Sequence, residues 1–270
     1  MSVAIVTGGS SGMGLALVKN LLARKYAHVV IADLAPPTED SVASLLDSTV
    51  SFFKTDVTSW DNQSALFKST FEKFGHIDVV ALNAGIAETD SIFAEDNDGP
   101  VPLNLKTVTV DLDAQIMGFR LALWYMRRNP GEAGGKIIFT ASSAGFYSFP
   151  ASPIYCAAKH GVVGFARSVA PIAKKDNILV NAVCPGLVRT PIVDANVTAA
   201  FPNEHWTPVP TIMRGFDLFL DTDRYGEMAE CSGDQVVDRK DNEYLDEHME
   251  FLFGKSYDLF LNASKKSQGK

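Results

Sequence analysis

Short, nearly continuous apolar runs alternate along this chain with longer stretches of helical spacing. "SVAIVT" predicts a strand, and "GMGLALVKNLLARK" a helix with Leu15, Val18 and Leu22 on one face. "HVVIAD", "SFFKTDV", "IDVVALNAG", "GKIIFTASS" and "ILVNAVCPG" predict further strands. Between them, "WDNQSALFKSTFEKFG" predicts a helix that stops at Gly75. "TVTVDLDAQIMGFRLALWYMRRN" predicts a long helix ending near Pro130, and "SPIYCAAKHGVVGFARSVAPIAKK" another. Pro171 in the last of these should kink it or cost it a hydrogen bond. Strands that are apolar along their whole length are covered on both faces, as in a parallel sheet. Repeated strand–helix units then predict an α/β, doubly wound, Rossmann-type sheet of about seven strands.

The periodicity breaks after Thr190. "DANVTAAFPNEHWTPVPT" is rich in aromatics and prolines; a helix, "TIMRGFDLFLD", and a last strand near "EMAECS" follow. With no Pro/Gly/Ser-rich linker, the pattern predicts one domain over 1–262, with 192–221 as the substrate-loop region and a solvated polar tail at 263–270.

Composition narrows the function. A formal net charge of -8 argues against a general nucleic-acid or anionic-membrane binder. No apolar run is long enough to span a membrane, and "MSVAIVTGG" does not read as a signal peptide. Cys156, Cys184 and Cys231 lack the spacing of a disulfide framework or zinc site and read as reduced thiols, which predicts a cytoplasmic protein. The histidines are scattered, and "DTDRYGE" from Asp221 fails the calcium-loop spacing, so no metal is expected.

The first chemical signal is "TGGSSGMG" between the first strand and first helix. A phosphate can approach the backbone only where side chains do not block it, and the helix N-terminus behind the turn attracts its charge. Gly8, Ser10, Ser11, Gly12, Met13 and Gly14 are the cofactor-facing positions, with the two serine hydroxyls as added donors. Asp33 ends the second strand, 19 residues after Gly14. A carboxylate there accepts from both adenosine ribose hydroxyls and repels a 2′-phosphate, which favours NAD over NADP. As an alternative, Asp33 simply caps a helix or a turn.

The second signal is "YCAAK", with Tyr155 and Lys159 one helical turn apart and therefore on one face. A free tyrosine is mostly protonated at neutral pH, and a nearby ammonium favours the phenolate that can act as a base. His160 points about 100° away around the helix.

Four motifs in order, "TGGSSGMG", "NAG" at Asn83–Gly85, "YCAAK" and "PGLVRTP" at Pro185–Pro191, resemble the short-chain dehydrogenase/reductase family over about Val3–Pro191. "PIYCAAKHGVVGFARS" and "VNAVCPGLVRTPI" look most like its NAD-dependent 15-hydroxyprostaglandin dehydrogenase branch. The resemblance implies that Asp56 and Val57 meet the adenine, and that Asn83, Ala84 and Gly85 border the cofactor cleft. It implies that Pro185, Gly186, Val188 and Thr190 hold the nicotinamide carboxamide, and that Tyr155 and Lys159 also contact the cofactor. Ser142, 13 residues before Tyr155, takes the family's catalytic serine position in preference to Ser143. Where many members carry an asparagine, this chain has Asp111, whose charge should stabilise the Lys159 ammonium and could raise the tyrosine pKa. Phe146, Phe149, Phe201, Trp206 and Met213 either line an apolar substrate pocket or belong to the core. The resemblance further implies that the long helix and the Tyr155 helix build a subunit interface, giving a homodimer or homotetramer; alternatively their apolar residues belong to the intramolecular core.

The expected activity is NAD-dependent oxidation of a secondary alcohol on a small lipophilic molecule. The alternatives are carbonyl reduction, a non-redox isomerisation or cyclisation, and a non-catalytic NAD-binding regulator.

Overall fold

The computed structural model describes residues 2–94, 99, 101–131 and 134–267. Two compact units are present, Met1–Arg239 and Lys240–Lys270. The first holds every strand: β1 (Val3–Thr7), β2 (His28–Asp33), β3 (Val50–Lys54), β4 (Val79–Leu82), β5 (Gly135–Thr140), β6 (Ile178–Pro185), β7 (Met228–Ser232) and β8 (Gln235–Asp238). They form a single eight-stranded sheet in the order β3-β2-β1-β4-β5-β6-β7-β8. All neighbours run parallel except β7 and β8.

The sheet has one strand more than the apolar pattern indicates. The extra strand, β8, is a four-residue edge of alternating exposure, joined to β7 through Gly233 at φ 56. Such a strand is half polar and too short to show in a hydropathy pattern.

Each strand feeds two cores because side chains alternate across a sheet. In β1, Ile5 enters one cluster while Ala4 and Val6 enter the other; in β4, Val80 and Leu82 oppose Val79 and Ala81. Helices α1 (Gly12–Ala23), α2 (Asp40–Ala43) and α3 (Trp60–Phe74) follow the first three strands. Ser59 caps α3 by accepting from the Asn62 amide, and Gly75 ends it in the left-handed conformation at φ 77.

After β4 come α4 (Lys106–Val108), a five-residue π turn (Thr109–Asp113) and α5 (Ala114–Met126). The sequence pattern reads this region as one uniform helix; the π turn is a local widening at Asp111, of a kind frequent at functional sites. Helix α6 (Pro153–Ala173) continues through Pro171, whose missing N–H falls in the final turn. Phe165 of α6 meets Phe119 of α5 edge-on at 5.3 Å.

The 192–221 region contains α7 (Ala195–Ala200), a 3₁₀ turn (Asn203–His205) and α8 (Val209–Leu220). In the second unit, α9 (Glu247–Met249), a π turn (Glu250–Lys255) and α10 (Tyr257–Ser267) follow one another. Of the tail at 263–270, the backbone to Ser267 ends that last helix, and 268–270 lie outside the described residues.

Strand order reverses between β1 and β4, where connections leave toward opposite sides and open a crevice at the carboxyl ends. The glycine turn after β1, the Asn83–Gly85 loop after β4, Ser142 after β5 and the Pro185 loop after β6 all emerge along this edge.

Candidate active site

The glycine turn is built by backbone crowding. Gly8 adopts φ 65, and a Cβ there would sit 2.9 Å from the Ala84 Cα; a Cβ on Gly14 would lie 2.1 Å from the Gly8 carbonyl oxygen. Gly12, at φ 53, faces Thr190, which brings the loop after β6 over the start of α1. Ser11 is the N-cap of α1, yet its side chain makes no capping bond, and the first turn has no acidic residue. The partial positive end of the helix is therefore offered to an anion. Met13 packs against the core beneath the turn. This cradle fits the phosphates of a dinucleotide.

Asp33 Oδ2 accepts from the Ser10 amide at 3.0 Å, and Oδ1 from the Leu34 amide at 2.7 Å. The carboxylate thus stands beside the cradle and also fixes the turn. Ser10 departs from expectation: its hydroxyl donates to the Ala35 carbonyl at 2.6 Å, so that donor is spent inside the protein. Asp56 is exposed, with its carboxyl held below the usual range by hydrogen bonds from the Thr58 hydroxyl and amide. Val57 lines a small void with Thr7, Gln63, Ala84 and Gln115.

Asn83 is a stitch between strands. Its amide nitrogen donates to the Thr7 carbonyl at 3.0 Å, and its amide oxygen accepts from the Thr140 hydroxyl at 3.1 Å. The Thr7 hydroxyl accepts from the Asn83 and Ala84 amides. Gly85 has to be small because a Cβ there would lie 3.0 Å from Asp111 Oδ2.

The centre of the site is a buried ion pair. Asp111 is 0% exposed and Lys159 3%. Lys159 Nζ lies 3.0 Å from Asp111 Oδ2 and donates to the Thr140 carbonyl at 3.2 Å. Asp111 Oδ1 accepts from the Ile86 amide at 2.8 Å. Burial by itself lowers the lysine pKa; the charge of Asp111 outweighs it, with help from Tyr155, and the net direction is upward. The ammonium stands 5.5 Å from the Tyr155 ring centre. Beyond its bond to Thr140 and its ion pair with Asp111, the ammonium keeps an N–H for a bound molecule.

Ser142 is buried. Its Oγ accepts from the Ala144 amide at 3.1 Å and donates to the Pro185 carbonyl at 3.4 Å, linking β5 to the loop after β6. Gly186 is anchored by its amide to the Cys231 carbonyl at 2.8 Å, and Val188 is buried below it. His160 is exposed, with Nδ1 3.0 Å from the Cys156 carbonyl of its own helix, so it stands apart from this cluster.

The five apolar candidates divide. Phe146 packs on the core with the Arg239 guanidinium 5.4 Å over its ring, Met213 packs on the opposite core, and Trp206 is buried. Phe149 and Phe201 are exposed. The core reading thus describes the first three, and the last two remain available to a ligand.

Thr7, Glu88 and Thr140 are absent from the sequence-based candidates. Each acts through a contact with residues far along the chain, and no local motif marks them. Among the described residues, no group of three or more His, Cys, Asp or Glu could hold a metal, and no helix is long and apolar enough to cross a membrane.

Comparison with known proteins accords with this geometry. The family model for short chain dehydrogenases matches residues 2–200. A short-chain dehydrogenase/reductase, prx6, of Penicillium rubens is 34% identical over 253 residues, covering 87% of this chain and 84% of the relative. Human 15-hydroxyprostaglandin dehydrogenase [NAD(+)] is 34% identical over 200 residues, covering 72% of this chain and 70% of the relative. Among solved structures, ElxO with NADP bound aligns with a TM-score of 0.73 at 22% identity, over 85% of this chain and 96% of that one, a likeness of fold. With the model matched over most of the chain and the sheet order, glycine turn and Tyr155–Lys159 turn in place, this protein belongs to the short-chain dehydrogenase family, oxidoreductases that act on CH–OH groups.

Proposed function

We propose that the protein oxidises a secondary alcohol on a small lipophilic metabolite to the ketone, with NAD as hydride acceptor. The observation that carries this is the Lys159 ammonium, buried on Asp111 one helical turn from Tyr155. Relatives point the same way, since one is a hydroxyprostaglandin dehydrogenase named for NAD(+) and another a fungal short-chain dehydrogenase/reductase.

Bound NAD supplies the hydride-accepting carbon of the nicotinamide. Gly8, Gly12, Gly14, Ser11 and the α1 N-terminus hold its pyrophosphate, Asp33 its adenosine ribose, and Asp56 and Val57 its adenine. Asn83, Ala84 and Gly85 border the cleft, and Pro185, Gly186, Val188 and Thr190 hold the carboxamide. Lys159 would donate a hydrogen bond from its remaining N–H to the nicotinamide ribose while staying charged.

Tyr155 removes the hydroxyl proton of the substrate while its carbinol hydrogen leaves as hydride, so the alcohol loses two electrons and two hydrogens. Ser142 turns its hydroxyl from the Pro185 carbonyl to the substrate oxygen. Lys159 lowers the cost of the phenolate, and Asp111 keeps Lys159 charged. The exposed Phe149 and Phe201 cover an apolar substrate. The fold operates as a homodimer or homotetramer in the cytoplasm, in keeping with three free thiols and with the exposed Ile116 and Trp124 on α5.

The test is turnover of cyclohexanol, a long-chain secondary alcohol and a hydroxysteroid, followed by nicotinamide absorbance with NAD and with NADP. At least one should react, with kcat/KM for NAD about tenfold or more above NADP, since a 2′-phosphate would meet the Asp33 carboxylate. Product without any change in nicotinamide absorbance would favour a non-redox reaction instead.

A further inference from the structure

Helix α6 carries Tyr155 and Lys159 but lacks a cap of its own. The N-cap Ser152 makes no side-chain capping bond, the first turn holds no acidic residue, and Pro153 has no N–H. The first bond within the helix runs from the Cys156 amide to the Ser152 carbonyl. The Tyr155 amide, one residue earlier, donates instead to Glu88 Oε2 at 2.9 Å. Glu88 is half-buried and lies 67 residues away, on the loop that leaves β4. A carboxylate at this place satisfies an orphan amide and faces the positive end of the helix.

The same loop is tied down three times within six residues. Asn83 bonds to β1 and β5, the Ile86 amide reaches Asp111, and Glu88 reaches the backbone of Tyr155. Since Asp111 also holds Lys159, the last two ties end on the two positions of α6 that carry the chemistry. We propose that Glu88 is a positioning residue, fixing the Tyr155 backbone against the Asn83–Gly85 loop and so setting the reach of the phenol to the substrate oxygen. This rests on Tyr155 being the base. A displacement of about 1 Å between reacting groups can cost as much as a hundredfold in rate, so a single tie at this position matters to turnover.

Glu88→Ala and Glu88→Gln would be assayed with NAD and the best alcohol of the panel, with rates normalised to NADH-binding sites and melting temperatures measured alongside. Glu88→Ala should lower kcat about tenfold with KM for NAD changed less than about twofold, because a misplaced base slows chemistry rather than cofactor binding. Glu88→Gln keeps an oxygen that can accept the same bond and should retain kcat within about twofold. If Glu88→Ala does not fold, Glu88→Asp, one methylene short of the amide, takes its place with the same expected loss. A kcat per site equal to wild type in the truncated variant, whether or not its melting temperature falls, would reduce the contact to a plain helix cap and overturn the proposal. Equal impairment of both variants would overturn it too, since the bond that Gln keeps would not be what matters. Tyr155→Phe separates the claims: if it stays active, the base assignment and the role of Glu88 fall together, whereas an inactive Tyr155→Phe beside a fully active Glu88→Ala removes only Glu88.

Discussion

Burial pulls the Lys159 pKa down, and the Asp111 carboxylate 3.0 Å away, together with Tyr155, carries it back above the ordinary lysine value. A group raised in the folded state contributes its stability in full below the unfolded pKa and loses it as pH rises through the folded one. The Lys159 contribution is therefore in full at neutral pH and is lost on the alkaline side. Asp111→Ala, which leaves a buried ammonium without its counter-charge, should cost about 3 kcal/mol in denaturant unfolding. Asp111→Asn keeps the oxygen that accepts from Ile86 but removes the charge, so burial then pulls Lys159 below its unfolded value, and the variant's stability deficit should be full at neutral pH and shrink as pH rises and the lysine loses its proton. The pH–rate profile should change as well, because the charge that holds the ammonium one helical turn from Tyr155 is gone. Melting temperatures from neutral to alkaline pH and the two rate profiles check both effects; identical profiles would remove Asp111 as a tuning group. Sequence reading reached these residues unevenly. Tyr155 and Lys159 are legible because one helix places them a turn apart. The position of Asp111 is legible from its place relative to the motifs, but its double grip on Ile86 and Lys159 is not, since that depends on a π turn with no hydropathy signature.

At the scale of elements, the glycine turn is the part least able to absorb change. Gly14→Ala would place a carbon 2.1 Å from the Gly8 carbonyl, a backbone atom that cannot swing aside as a side-chain tip can. We expect Gly14→Ala to raise the NADH dissociation constant at least about tenfold or to prevent folding, as overpacking against backbone does. Fluorescence titration and a melting curve distinguish the two. Gly85→Ala should act through a different element, pushing on the Asp111 carboxylate and reproducing part of the Asp111→Asn pH behaviour. Most elements were legible because the buried strands are clean apolar runs. The exceptions have local reasons: β8 is short and half exposed, and residues 192–205 fold into short helical turns whose apolar side chains are mostly exposed. Glu88 is invisible to sequence reading because its partner is a backbone amide on another element.

For the whole molecule, the proposed preference for NAD rests on the charge beside the cradle. Removing the carboxylate in Asp33→Ala should erase the preference for NAD by raising activity with NADP, and adding Leu34→Arg should invert it, because a guanidinium there would pair with the 2′-phosphate. Asp33 also holds the Ser10 amide, so activity with NAD should fall in the same variants. Unchanged NAD and NADP constants would show that selection lies elsewhere. In the proposed reaction Asp111, Lys159 and Glu88 each act on or beside Tyr155. The most direct test is Tyr155→Phe, assayed for NADH formation on the best alcohol with NADH binding measured in parallel. We expect turnover to fall roughly 10²–10⁴-fold, the contribution of a positioned acid–base group, with cofactor affinity nearly unchanged. Turnover within a few-fold of wild type would contradict the account.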